Sequence, residues 1–250
     1  MEDKVALHEY RDKDIGNALV VTGFPTVGFV GTIATRFIVN QLDLDLIGAF
    51  LSDYFHPATV ISKGVPAPPV RIYAGDKPCG LSEECDQIIV ISSEFFPPPP
   101  IMRPLATHIL RWCEARDCRS LVAIEGFNAS DDQTPIYGVA SAERGRQFLK
   151  KHDIKLMQEG MVSGISGILL YEGEISHFDT LCLLAGTQTK FPDAAAAARL
   201  LEVVNVMLPD IDIDPEPLYK ESERIEQELK KHLQESQPTQ VGAQTSPMYG

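Results

Sequence analysis

A short apolar run that leads directly into an amphipathic stretch sets the strongest limit on how this chain can fold. Ala18-Leu19-Val20-Val21-Thr22 is stopped by Gly23 and Pro25, and an apolar run bounded by turn residues reads as a strand buried on both faces. From Gly28 to Leu42 the apolar residues fall at Val30, Ile33, Ala34, Phe37 and Ile38. That i, i+3, i+4, i+7, i+8 spacing is one face of a helix. A unit of this kind buries its apolar surface when helices cover a sheet.

The alternation continues along the chain. Further strands are expected at Ile47 to Phe55, Thr59 to Ser62, Val70 to Ala74, Gln87 to Ser92, Ser120 to Glu125, Ile136 to Val139 and Thr180 to Ala185. Met102, Leu105, Ala106, Ile109 and Cys113 repeat the helical spacing behind Pro97-Pro98-Pro99-Pro100, a rigid lead-in. Ala142 to His152 and Asp193 to Leu208 also read as helices, the second bracketed by Pro192 and Pro209. Strands alternating with helices predict an α/β domain with a mixed, largely parallel sheet. No internal repeat or linker divides it, so residues 1–209 are expected to form one domain.

The remaining residues differ in character. Residues 210–235 carry nine acids against four bases, a net −5. Pro215 can open a helix there, along which Leu218, Ile225, Leu229 and Leu233 form a narrow apolar stripe. Such a stripe packs on the domain's own surface or against a sister subunit. Residues 236–250 (SQPTQVGAQTSPMYG) contain no charged side chain. A segment so poor in apolar residues cannot bury enough area to order itself, which predicts a flexible tail.

Charge narrows the function classes. Twenty-two basic side chains against 35 acidic ones give −13 over 250 residues, and no Lys/Arg block offsets the excess. Nucleic acid and anionic membrane surfaces are both disfavoured as partners. The start of the chain has no apolar leader and no stretch approaches a membrane span, so a cytoplasmic location is expected. The five cysteines (79, 85, 113, 118 and 182) show no C-x-x-C spacing. Cys79 and Cys85 around Glu83-Glu84 come nearest to a metal cluster, but four ligands at tight spacing are missing, and reduced structural thiols are expected. No metal or cofactor is expected.

The loop Gly23 to Gly31 occupies the strand-to-helix position at which α/β proteins hold phosphate. A P-loop needs Lys and then Ser/Thr after its second glycine, whereas Phe29 and Val30 stand there. Backbone N–H groups around Gly23, Gly28 and Gly31 offer a candidate anion loop, against which stands the use of these glycines for close packing. Gly164-Ile165-Ser166-Gly167 misses the nucleophile-elbow spacing by one residue. His108 and Cys113 lie five apart on one helix and do not face each other. Asn128-Ala129-Ser130-Asp131-Asp132 after a strand has the residues to chelate Mg²⁺, but also those of an ordinary turn. No catalytic residue is assigned.

The most specific signal is the end of the sequence, Met248-Tyr249-Gly250. An apolar side chain can fill a groove, a phenol adds apolar area and a hydrogen bond, and a terminal carboxylate can pair with a Lys. A fifteen-residue tail reaches about 50 Å when extended and about 20 Å as a flexible coil.

Taken together, the Gly-x-Pro-x-x-Gly-x-x-Gly stretch from Gly23 to Gly31, the helix after Pro192-Asp193-Ala194-Ala195-Ala196-Ala197 and the acidic helix from Asp210 resemble the proteasome assembly chaperone family in its archaeal form. The resemblance spans roughly residues 17–235. It implies a three-layer α/β sandwich akin to nucleoside phosphorylases and related hydrolases but lacking their active site. It also implies homo-oligomers, and a C-terminal hydrophobic–Tyr–any motif that docks between α-subunits of the 20S proteasome. Met248, Tyr249 and the Gly250 carboxylate would play those parts in an ATP-independent chaperone, adaptor or activator. The alternative is a small-molecule or nucleotide-binding enzyme, ATP-grasp-like or phosphorylase-like, using the Gly23–Gly31 loop.

Overall fold

The computed structural model describes residues 4–62, 64–76, 87–130, 134–187, 192–208 and 213–220. In chain order these form β1 (Ala6–Glu9), β2 (Ala18–Gly23), a 3-10 turn (Val27–Phe29), α1 (Val30–Gln41), β3 (Asp45–Leu51), β4 (Val60–Ser62), β5 (Val65–Ala67) and β6 (Val70–Gly75). There follow β7 (Gln87–Ser93), α2 (Pro99–Ala115), β8 (Ser120–Asn128), β9 (Tyr137–Ala140), α3 (Glu143–Lys151), β10 (Lys155–Leu156), α4 (Gly164–Ser176), β11 (Thr180–Thr187), α5 (Ala194–Asn205) and α6 (Glu216–Lys220).

Nine of these strands make one sheet in the order β1-β3-β6-β7-β2-β8-β11-β9-β10. Its centre, β7-β2-β8-β11, is parallel throughout, with Val20 opposite both Ile89 and Leu121. β6, β3 and β1 extend one side in antiparallel pairs, and β9 runs antiparallel to β11 on the other. Side-chain alternation along the central strands sends two apolar sets in opposite directions. Leu19, Val21, Ile88, Val90, Val122, Ile124, Leu181 and Leu183 share a core with α1, α3 and α5. Ala18, Val20, Ile89, Ile91, Leu121, Ala123, Cys182 and Leu184 share the other with α2 and α4. The three-layer sandwich follows from central strands that carry apolar residues on both faces along most of their length.

Several elements differ from the sequence expectation, each for a local reason. The helix expected from Gly28 starts at Val30, because Gly28 (φ 64°) and Phe29 (φ 53°) are left-handed. The strand expected to reach Phe55 ends at Leu51, where Ser52 Oγ accepts from Tyr54 N at 3.2 Å and turns the chain. The strand at 59–62 pairs only with β5 and stands outside the main sheet as a hairpin between β3 and β6. The helix expected to run to Leu208 ends at Asn205. Its start is firmly capped, with the Asp193 carboxylate accepting from Ala196 N at 2.8 Å. The sequence pattern does not mark helix α4 or the strands β1, β5 and β10.

The start of the acidic C-terminal segment lies on the domain. Ile213 and Leu218 are both fully buried in the α1–α5 core. Asn205 holds the backbone of Ile213 at both ends, Nδ2 donating to its carbonyl at 2.9 Å and Oδ1 accepting from its N–H at 3.0 Å. Ile225, Leu229, Leu233 and the tail lie outside the described residues.

Candidate functional site

The Gly23–Gly31 turn sits at the carboxyl end of β2, between β7 and β8, the position at which parallel sheets usually receive ligands. Its glycines are used for backbone contact. A Cβ on Gly23 would stand 2.2 Å from the Gly31 carbonyl oxygen, and one on Gly31 would stand 2.3 Å from that of Ile124. On the facing strand, a Cβ on Gly126 would meet the Val27 carbonyl at 2.0 Å. The end of β2, the first turn of α1 and β8 therefore cross with no space for a side chain between them.

Gly28 closes the other flank against α5. Its carbonyl accepts from Asp193 N at 2.8 Å, and Thr187 Oγ1 donates to the Asp193 carboxylate at 2.7 Å. The Asp193 carboxylate, which also caps α5, therefore lies against the Gly28 side of the turn.

A second acidic group lies beneath the same turn. Glu125 on β8 points towards α4, where Ser166 Oγ donates to its Oε1. Burial raises its pKa to about 7, against hydrogen bonds from Ser166 and Thr26 that favour the ionised form. Ser166 is buried in the first turn of α4 with a carboxyl group as its partner. It is neither at a strand-to-helix elbow nor open to a substrate.

Cys113, Cys118 and Cys182 are buried free thiols. Burial pushes the pKa of Cys113 and Cys182 well up, which keeps both protonated and unreactive. Cys79, Cys85, Asp131 and Asp132 lie outside the described residues. Among the described residues no three His, Cys, Asp or Glu side chains converge as metal ligands, and no helix is long and apolar enough to cross a membrane. Met248, Tyr249 and Gly250 also lie outside the described residues, beyond the anchor formed by Ile213 and Leu218.

One polar pair escaped sequence reasoning altogether. Arg71 on β6 and Glu94 after β7 form an ion pair although they are only 5% and 3% exposed. Burial works against the charged guanidinium, but Glu94 and Tyr73 more than offset it and hold the Arg71 pKa above its ordinary value. The two residues are 23 apart in sequence and join only through the antiparallel β6–β7 register.

The model of the PAC2 family matches residues 20–233. Uncharacterized protein MJ0106 of Methanocaldococcus jannaschii is 32% identical over 231 residues, covering 92% of each chain. The crystal structure of Pyrococcus furiosus PbaA, described as an archaeal homolog of proteasome-assembly chaperone, superposes with a TM-score of 0.81 at 30% identity. It covers 93% of this chain and 97% of PbaA. Pyrococcus furiosus PbaB, described as an archaeal proteasome activator, shares the fold at a TM-score of 0.77 and 20% identity, over 92% and 99% of the two chains.

Proposed function

Because the chain belongs to the PAC2 family, the proteasome assembly chaperone family that its sequence resembles, we propose that it is a proteasome assembly chaperone or core-binding adaptor. It acts in the cytoplasm without ATP and docks its C-terminal tail into pockets of the 20S α-ring. The observation that carries this reading is the match to PbaA along nearly the whole of both chains. The tail chemistry supports it. Met248 fills an apolar groove, Tyr249 adds a ring and a hydroxyl, and the Gly250 carboxylate pairs with a basic side chain at the pocket wall.

The body of the protein supplies a fixed base for that tail. Ile213 and Leu218 hold the segment against α1 and α5, and the thirty residues from 221 to 250 can span at most about 100 Å. In a homo-oligomer several tails leave one rigid body towards a ring of pockets, so each binding event raises the effective concentration of the next. The uncharged composition of residues 236–250 leaves the terminal carboxylate as the one negative group presented. The folded domain serves as a scaffold in this reading and has no catalytic role.

Co-sedimentation with purified 20S core tests the proposal. The full chain is expected to travel with the core particle, and a chain lacking residues 248–250 is expected to remain at the top of the gradient. Undiminished co-sedimentation of the shortened chain would overturn tail docking.

A further inference from the structure

Just after β10 the chain leaves the sheet and opens a groove at its edge. Met157 N still donates to the Gly138 carbonyl at 3.1 Å, but residues 158–162 make no hydrogen bond with another backbone group among the described residues. This segment returns along α4, close enough for a Cβ on Gly167 to strike the Val162 carbonyl at 2.2 Å. A groove of about 530 Å³ lies between the segment, the end of β9 and α4. From α4 it is lined by Gly167, Leu170, Tyr171 and Glu174, the i, i+3, i+4 and i+7 positions of one helix face. Val139, Met157 and Val162 join Leu170 in its apolar lining.

Charge, backbone and surface each restrict what this groove can take. Glu159 and Glu174 both line it, and neither side chain has an ion pair or hydrogen bond among the described residues. The arginine that also lines it, Arg146, is already held by the Glu143 carboxylate at 2.9 Å and by the carbonyls of Ala140 and Ser141 at 3.0 and 3.3 Å. Two carboxylates on an apolar groove call for a cation that also carries apolar surface. Gln158, Glu159 and Gly160 are exposed, so their main-chain groups are open to an incoming strand. Apolar surface continues past the groove, with Met161 88% exposed beside the lining residues Gly160 and Val162, and Ile175 65% exposed one turn beyond Tyr171. Exposed apolar surface rimmed by polar groups marks a protein contact.

We propose that this groove binds an extended peptide segment of a partner protein, in which an apolar side chain is flanked by lysine or arginine. The apolar side chain lies on Val139, Met157 and Leu170, and the flanking cations meet Glu159 and Glu174. The peptide backbone pairs with the main-chain groups of residues 158–160, so that strand addition supplies affinity while the groove supplies specificity. The volume falls within the range of about 300–1,000 Å³ that accommodates a few side chains. Charge complementarity selects the partner, since an acidic segment would face both carboxylates. The proposal goes beyond tail docking and is independent of it, because residues 236–250 carry no lysine or arginine and do not fit this groove.

Fluorescence anisotropy of a labelled short peptide alternating lysine and leucine, titrated with the full chain, tests it. Saturable binding is expected, and lysine–serine and glutamate–leucine peptides of the same length are expected not to bind. Glu159→Gln combined with Glu174→Gln weakens binding about fivefold, the loss of two exposed ion pairs. Both positions are exposed, so the variant keeps its fold. Glu172→Gln removes the same charge from the same helix, but that carboxylate is held by Arg103, and the affinity stays unchanged. No saturable binding, equal binding of the lysine–serine peptide, or full affinity in the double variant overturns the proposal. Displacement of the peptide by hexylamine at the peptide's own concentration also overturns it, since the groove is then an amine pocket. Sedimentation velocity addresses the remaining occupant: self-association that the double variant abolishes would assign the groove to a second copy and overturn the peptide reading. Because no proteasome is present, every result leaves tail docking to its own test.

Discussion

Replacing Gly31 by Ala isolates the close approach on which the β2–α1–β8 crossing depends. On a free helix the change would stabilise by about 1 kcal/mol. Here the added Cβ would stand 2.3 Å from the Ile124 carbonyl oxygen, a distance that has to grow by roughly 1 Å to become an ordinary contact. Ile124 lies in the central strand β8, paired on both sides, so α1 has to retreat instead. Retreat opens the core in which Val30, Ile33 and Ile38 are fully buried. Overpacking against movable side chains costs about 1–3 kcal/mol, and a backbone neighbour puts this site at the upper end. After the helix-propensity gain, the net loss is about 2 kcal/mol, or roughly 4–8 °C in Tm for a chain of this size. Gly16→Ala is the control, since its Cβ would meet only the Asp14 side chain at 3.5 Å and the Arg116 carbonyl at 3.9 Å. It is expected to stay within about 0.5 kcal/mol of the parent. Urea and thermal unfolding of the three proteins decide the matter. A Gly31→Ala protein at least as stable as the parent would refute the claim that these glycines exist for backbone contact.

The buried acids give two more expected outcomes. The Glu125 carboxyl, at about 7 rather than its ordinary 4.5, binds a proton in the folded state over a range where the unfolded chain has lost it. Stability therefore falls as pH rises from about 4.5 to 7, by about 3 kcal/mol from this group, and is level above. Urea unfolding at pH 5 and pH 8 should show that fall shrinking in Glu125→Gln, and an unchanged fall would contradict the assignment. For the Arg71–Glu94 pair, Arg71→Met or Glu94→Leu alone is expected to cost about 3–5 kcal/mol by leaving a buried charge unpaired. The double variant should cost far less than the two together in a double-mutant cycle, and strictly additive losses would show that the charges do not depend on each other.

Much of this fold could be read from the residues, and the exceptions share a cause. β2, β7, β8 and β11 announce themselves because strands buried on both faces are apolar at successive positions, as in Ile88-Ile89-Val90-Ile91. α2 shows because its apolar residues sit at helical spacing behind proline. α4 is hidden by Gly164, Gly167 and Gly173, which weaken local helix preference. Tertiary contact explains two of them: a Cβ at Gly167 would strike the Val162 carbonyl at 2.2 Å, and one at Gly173 the Thr180 hydroxyl at 2.3 Å. β1 is an edge strand with an exposed pattern and little apolar signal.

The polar groups obey the same logic. Glu125 meets Ser166 across 41 residues and Arg71 meets Glu94 across 23, so no local spacing reveals either pair. The docking motif proposed at Met248-Tyr249-Gly250 has the opposite character, since it consists of three adjacent residues.

The most direct test of the proposed role is therefore the affinity for purified 20S core of the chain carrying a single alanine after Gly250. The addition leaves the folded domain, Met248 and Tyr249 intact and moves the carboxylate by about 3.5 Å. Loss of a charge pair at a closed pocket weakens binding by about thirtyfold or more, and that is the expected result. An extended chain that binds the core particle as tightly as the parent would contradict tail docking at its root.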